Sequence, residues 1–380
     1  PLENDDGFNF LRIQHPRPFG FKLWQIGDDV YNNGYYGDHT GTPDLHGPAP
    51  ASPKDLAKLK GNPNLSPEAY ARNLILFAQA MKAVDPSIQI GAAITTPPDP
   101  ELRKATYWDS TGEHPDLHAW TSAAWGVGWN RDLLKGACSS LDFVTLEWTQ
   151  SPLAPPDYKT LDEAVLLGVP QPGQTQVGNS STAQFKIIVD GMLADYASYC
   201  PKGRVLPLAF APAGISPWLK VQHPVVKALW IADFYATLIE SGSINVNWNE
   251  MYGDSMLSAD RKKFGPAFYG LQMLHTIAHA PGDLLLDAKS NSLSVAAHAT
   301  HRRDGYFGLM LVNKDPKLPA IVKVSFRNGT TGSTGRRIDY GATQFAAGDR
   351  AAVSAFSITG EEFEVTVPPY TITDILLPNR

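Results

Sequence analysis

The sequence predicts two successive fold classes. Residues 1–281 read as an α/β region, an incomplete (β/α) TIM-type barrel of about five β/α units, and residues 282–380 as a C-terminal antiparallel β-sandwich. Two observations predict this. From Phe19 to about Ala280, short apolar runs alternate with amphipathic stretches of helical length, as β/α units around a parallel sheet require. Beyond about Gly282, short apolar runs follow one another at turn spacing with no helical period between them.

In chain order, strands are expected over residues 21–26, 88–94, 141–148, 205–210 and 244–248. Helices are expected over residues 66–84, 184–199 and 225–240, with a last one beginning near Pro266. The first is the clearest. Ser66 stands at its N-cap and Pro67 at the first helical position, and Leu74, Phe77, Ala78 and Met81 line one face. A Gly/Pro/Asp-rich loop occupies residues 31–53, and a long polar and aromatic segment carries Trp108, Trp120, Trp125 and Trp129. The later strands are LLLDA, SLSVAAHAT, GYFGLMLVN, AIVKVSF, FEVTV and TITDILL.

Composition bounds the function. Hydrophobic residues make up 43% of the 380, enough for a substantial core. The net charge of -6 offers no basic surface to neutralise phosphates, which argues against nucleic acid and against anionic membranes. No apolar run reaches the ~18 residues of a membrane helix. The chain starts at Pro1 rather than Met, so a segment upstream is expected to have been removed or left out. Nine Trp and 14 Tyr are many. Their faces suit the apolar faces of sugar rings, and they suit an ordinary core as well. Cys138 and Cys200 are compatible with one disulfide or with two buried thiols. His275 and His279 stand four apart on a helix, where packing or surface exposure is the simpler reading, and no ligand spacing points to a metal or a cofactor.

A parallel barrel gathers its functional residues where strands end and βα loops begin. Here the first strand ends Trp24-Gln25-Ile26-Gly27-Asp28-Asp29, the third Glu147-Trp148-Thr149-Gln150, and the fifth Asn247-Trp248-Asn249-Glu250-Met251-Tyr252. Each presents a carboxylate beside an aromatic ring. Glycoside hydrolysis needs two carboxyl groups flanking the scissile bond. Asp29, Glu147 and Glu250 are therefore the catalytic candidates, and helix capping or loop anchoring is the alternative for each. Trp24, Asp28, Tyr35, Tyr36, Trp148, Trp248 and Tyr252 are the candidate substrate contacts.

The stretch HPRPFGFKLWQIGDDVYNNGYYG (residues 15–37) resembles the acid/base strand of glycoside hydrolase family 51, the α-L-arabinofuranosidases and endoglucanase-like relatives. SPEAYARNLILFAQAMKAVDPSIQIGA is similar to that family's following helix and strand, VVKALWIADFYATLIESGSINVNWNEMYG to its final helix and strand, and TVPPYTITDILLP to its last sandwich strand. The resemblance implies a secreted or periplasmic glycosidase acting on a plant-type polysaccharide or oligosaccharide: a β-glucan, a xylan or an arabinofuranoside.

The departures are specific. Asp29 stands where the resemblance places a glutamate acid/base, and Asp28 where it places an asparagine. RVLPLAFAPAG carries no carboxylate where the nucleophile belongs. Glu147, with Trp148 beside it, is favoured over Glu250 as the replacement. Relatives carry about three further β/α units before the acid/base strand, so two barrel edges are expected to be open. A partner subunit, loop segments such as residues 96–130, or the sandwich would cover them. Two functions compete: hydrolysis by a relocated carboxylate pair, and carbohydrate binding without turnover.

Overall fold

The computed structural model describes residues 20–27, 30, 67–94, 128–150, 163–169, 181–215, 221–248, 256–258, 260, 262–327, 332–348, 350–358, 360 and 362–379. They fall into two compact units. The first comprises Pro1–Ile94, Thr121–Thr145 and Tyr196–Leu206; the second comprises Thr95–Trp120, Leu146–Asp195 and Pro207–Arg380.

The first unit contains β1 (Leu23–Ile26), α1 (Pro67–Val84), β2 (Gln89–Ile94), α2 (Gly128–Ala137) and the start of β3 (Phe143–Gln150), in the strand order β1-β2-β3. β1 and β2 run parallel, Leu23 opposite Gln89 and Ile26 opposite Ala92. Helix α1 begins at Pro67, with Glu68 in its first turn and Lys82 in its last, both complementary to the helix dipole. The N-cap expected at Ser66 lies outside the described residues. The buried stripe is Tyr70, Ala71, Leu74 and Ala78, and Met81 packs at its margin. Phe77, expected in that stripe, is instead 56% exposed, because the stripe turns toward Tyr70 and Ala71. Ala78, Ile88 and Ile90 form a small core joined by Ile26, so these positions mark the helix-facing side of β1 and β2.

Residues 128–137 form a helix the sequence pattern did not announce. Its Trp129 is a core residue, stacked on Tyr70 with ring centroids 5.6 Å apart and donating its indole N–H to the carbonyl of Ala93 at 3.2 Å. The Tyr70 hydroxyl donates to the Ile26 carbonyl at 2.6 Å and accepts from the Ala93 amide at 3.0 Å, tying the ends of β1 and β2 together. On the other side of β2 the Phe143 ring lies over Gly91. A Cβ at residue 91 would fall 2.2 Å from that ring, whose residue is only 2% exposed. Gly91→Ala is therefore expected to cost about 1–3 kcal/mol through overpacking, read as a lowered denaturation midpoint; an unchanged midpoint would show that the ring can move aside. Cys138 and Cys200 form a disulfide with Cα atoms 5.6 Å apart, which decides between the two readings of the sequence.

The second unit holds the rest of β3, α3 (Glu163–Leu167), β4 (Leu208–Ile215), α5 (Val226–Glu240), β5 (Asn245–Trp248) and α6 (Pro266–Ile277); α4 (Ser181–Tyr199) ends in the first unit. The order here is β3-β4-β5. β4 and β5 are parallel, with Phe210 opposite Val246 and Ala213 opposite Trp248. Three steps along β4 thus match two along β5, a bulge of one residue. The strand expected to stop at Phe210 runs on to Ile215, because the bulge lets Pro212, which has no N–H to give the ladder, sit within it.

Antiparallel strands follow: β6 (Leu284–Leu286), β7 (Val295–His301), β8 (Tyr306–Asn313), β9 (Ala320–Ser325), β10 (Thr334–Gly341), β11 (Ala352–Ser357), β12 (Glu362–Val367) and β13 (Thr371–Pro378). They build a six-stranded sheet, β11-β10-β13-β8-β7-β6, and a two-stranded one, β12-β9. Leu309, Leu311, Phe363, Val365, Val367 and Ile375 pack in the core that both sheets share. β12 shows why it forms: in EFEVTV the apolar residues alternate strictly inward. A short helix, α7 (Ala342–Ala347), separates β10 from β11, contrary to the expectation that no helix intervenes.

The other face of the larger sheet packs on α5 and α6. The Thr300 hydroxyl donates to the carbonyl of Ile277, and a Cβ at Gly308 would lie 2.9 Å from the Ile277 Cβ. Beside this contact lies a buried ionic cluster. His298 on β7 places Nε2 2.9 Å from Asp233 Oδ1 and Nδ1 2.8 Å from Glu240 Oε1, both on α5. Lys314 Nζ lies 2.6 Å from the other Asp233 oxygen. An imidazole that meets a carboxylate at each nitrogen needs both N–H groups, so the ring is an imidazolium.

Candidate active site

Strand alternation sorts the candidate residues by face. In β1, Trp24 shares the side of Ile26, the side that packs toward α1. Its indole N–H donates to the carbonyl of Phe21 at 3.2 Å, and the residue is 41% exposed on a strand that ends the sheet order. That placement turns Trp24 away from the inner face, where a sugar contact was expected. Gln25 points the other way. Its amide donates to the Gly27 carbonyl at 2.7 Å, while its Oε1 is buried with no hydrogen-bond partner among the described residues.

In β3, Phe143 covers Gly91 on the inner side of β2, and Thr145 and Glu147 follow on the same face at two-residue steps. Glu147 is half-buried. The strand thus presents one carboxylate inward, four residues beyond a buried aromatic floor. Trp148 is in β3, but its side chain lies outside the described residues, as do Asp28, Asp29, Tyr35, Tyr36, Glu250 and Tyr252 entirely.

In β5, Trp248 meets rings of α5, Trp230 and Tyr235, each with centroids 6.4 Å away. Phe210 of β4, whose neighbour is Val246, packs on Phe185 of α4 at 5.4 Å. Val246 and Trp248 therefore face the helices. Trp248, expected to contact substrate, is a packing residue there, with its indole N–H buried and no partner among the described residues. The opposite, inner face of β5 belongs to Asn245 and Asn247, which the sequence reading did not single out. The amide of Asn245 donates to the Asn247 carbonyl oxygen at 3.0 Å. Between β3 and β5, β4 contributes Ala209 opposite Asn245, and no side chain of LAFAPAGI ionises.

Groups with strongly displaced proton affinity occur elsewhere. Asp374 on β13 is wholly buried, and neither carboxyl oxygen has a hydrogen-bond partner among the described residues. Burial, with the nearby Asp339 charge, pushes its pKa well above the carboxylate range. Its place mid-strand, between Ile338 and Met310, makes it a core group rather than part of a cleft. Glu163, at the start of α3, is buried and accepts from the His223 backbone amide, from His223 Nδ1 at 2.9 Å and from the Tyr370 hydroxyl at 3.0 Å. Three donors satisfy that carboxylate as a structural anchor. His279, one of the helical pair weighed as ligands, has Nδ1 3.2 Å from Asp283, and the His275 ring meets it edge-on at 6.0 Å.

The architecture has relatives among solved structures. A xyloglucanase of glycoside hydrolase family 44 from Paenibacillus polymyxa matches 99% of this chain and 70% of its own, with TM-score 0.59 and 12% identity. An α-L-arabinofuranosidase from Thermotoga maritima, solved with arabinose, matches over the same shares with TM-score 0.56 and 12% identity. A family 51 α-L-arabinofuranosidase from Thermotoga petrophila covers 98% of this chain and 70% of its own, with TM-score 0.58 and 13% identity. This chain has a glycoside hydrolase fold. Family 51 stands among the neighbours, as the sequence motifs implied, and family 44 stands beside it. No family model and no curated protein matches the chain.

Proposed function

We propose that the chain is a glycoside hydrolase for neutral plant-type glycans, with Asp29 and Glu147 as its carboxyl pair. The observation that carries this reading is the inward placement of Glu147 near the end of β3, beside a β4 that has no carboxylate. The neighbours' printed substrates and ligands, xyloglucan and arabinose, indicate the class of glycan to try first. In this reading one carboxyl group protonates the leaving oxygen while the other attacks the anomeric carbon or activates water. Asp29 serves as the acid, Glu147 as the second carboxylate, and Glu250 stands as its alternative.

The chain is further read as an incomplete barrel followed by a sandwich. Exposure of Leu23 and Trp24 on β1, and of Phe21 just before it, supports an open edge that needs cover. The Cys138–Cys200 disulfide supports a secreted or periplasmic location, since such bonds persist in oxidising compartments. Binding without turnover is the second reading, and the carboxylate-free β4 favours it.

Hydrolysis of aryl glycosides and of xyloglucan, xylan and arabinan oligosaccharides tests the pair. Asp29→Asn and Glu147→Gln are each expected to reduce turnover by ~10²–10⁴-fold with the fold intact. Full activity in the Glu147→Gln variant would move the role to Glu250. Saturable binding with no turnover by the unaltered chain would establish the second reading instead.

A further inference from the structure

Glu163 opens α3, in the segment that follows β3, and His223 stands between the end of β4 and the start of α5. Both belong to strand-to-helix connections, the side of a parallel sheet where binding and catalytic residues gather. One carboxylate holds His223 at two points. Its Oε1 accepts the backbone amide of His223, and its Oε2 accepts the ring's Nδ1–H at 2.9 Å. The Tyr370 hydroxyl is a third donor, 3.0 Å from Oε2. A carboxylate accepts and does not donate, so the ring proton on this side sits on Nδ1. Nε2 lies on the far side of a side chain that is 50% exposed, and it has no partner among the described residues.

This is an elaborate support for a surface histidine. Glu163 is buried, and Tyr370 is the one non-glycine residue with positive φ among the described residues, at 42°. That conformation is strained for a residue with a Cβ, and it persists only where surrounding contacts hold it. Here the Tyr370 amide donates to the Asp315 carbonyl at 2.9 Å, and the Tyr370 carbonyl accepts the Ala342 amide at 3.0 Å. The strained turn delivers a hydroxyl to Glu163, and Glu163 fixes the imidazole. The ring itself packs little, meeting Tyr370 edge-on with centroids 5.7 Å apart.

We infer that His223 is a sugar-binding residue whose bare Nε2 accepts a hydrogen bond from a glycan hydroxyl. Glu163 is its positioning residue, keeping the proton on Nδ1 and Nε2 open. An exposed imidazole can also take an anion or a metal ion, and neither suits this one. With the ring neutral, the pair carries the Glu163 charge alone and repels an anion. A metal ion needs several ligands, and no group of three His, Cys, Asp or Glu among the described residues could hold one. A hydroxyl needs only the acceptor, and binding it costs little ordering because the ring is already held.

This inference rests on the proposed glycan function, and two measurements on the full chain separate them. The first is calorimetric titration with a neutral xyloglucan oligosaccharide and a neutral xylo-oligosaccharide. The second is nitrogen-15 spectroscopy of the His223 ring, recorded where imidazoles are neutral. The unaltered chain is expected to bind one of the probes and to show the ring proton on Nδ1. Saturation with that probe should move the Nε2 resonance and leave Nδ1 in place, a response that a merely structural histidine would not give. His223→Ala is expected to weaken binding about tenfold. In Glu163→Gln the carboxamide oxygen keeps the backbone amide while its N–H faces the ring, so the proton should move to Nε2 and binding should weaken. Should that variant fail to fold, His223→Ala and the Nε2 resonance still decide. Unchanged binding in His223→Ala, or an Nε2 resonance unmoved by the probe, overturns the sugar contact alone. A proton on Nε2 in the free unaltered chain overturns the role of Glu163. Failure of the unaltered chain to bind either probe overturns the inference together with the function on which it rests.

Discussion

Asp233→Asn is expected to destabilise the folded chain by about 3–5 kcal/mol, the usual consequence of removing one partner from a buried ion pair. Asp233 sits 5% exposed on α5 with His298 and Lys314 against its two oxygens. Burial alone would raise its pKa, but Lys314 and His298 outweigh that and hold the carboxyl well below the usual carboxylate range. Neutralising it leaves the two cations facing Glu240 alone. Chemical denaturation at pH 7 checks this, and a midpoint equal to that of the unaltered chain would remove the cluster from the account of stability.

The same cluster imposes a pH dependence. Burial depresses the His298 pKa, but hydrogen bonds to Asp233 and Glu240 prevail and raise it from 6.5 to about 9. A group whose folded pKa lies above its unfolded value binds its proton more tightly in the folded state. Its contribution is therefore complete below about pH 6.5 and is lost as pH rises through about 9. Melting temperatures should fall between those limits, and His298→Gln should flatten that part of the profile. Equal slopes in the two proteins would mean that His298 does not carry the effect.

Reduction of the Cys138–Cys200 bond is expected to cost about 4 kcal/mol, from the entropy regained by an unfolded loop of 62 residues. Cys138 precedes β3 and Cys200 closes α4, so the bond ties two segments far apart in sequence. Melting curves with and without reductant check the value, with a Cys138→Ser/Cys200→Ser double variant as control. Reductant that shifts the unaltered chain and the double variant equally would refute a role for the bond.

Much of the parallel region was legible in advance. α1 and α5 match their expected limits to within a residue, α1 because an apolar stripe begins at a proline and carries helix-dipole charges, α5 because its long apolar run ends before Gly242, which has positive φ. β10, whose TGRRIDYG includes two arginines, was not legible as a strand. In the sheet Arg337 is paired with Asp339, while Ile338 and Tyr340 turn to the buried side, and no local signal announces that division. The candidate site was legible only in part. Glu147 was found because a carboxylate at a strand end is conspicuous, whereas Asn247 carries no charge and draws no attention in a string.

Period and boundary residues locate elements because they act within a few positions of the chain, and that much follows from order alone. They place Trp24, Glu147 and Trp248 on parallel strands, and they show that the fourth of those strands has no carboxylate. They do not say which side of a strand meets the helices, because that depends on partners far away in sequence. Packing on Ile26's side, under α1, turned Trp24 from the inner face, and the rings of α5 did the same to Trp248. The same packing left Glu147 and Asn247 facing inward. Tertiary contacts also joined the two cysteines and assembled the Asp233–His298–Glu240–Lys314 cluster, whose members lie up to 81 positions apart (314 minus 233).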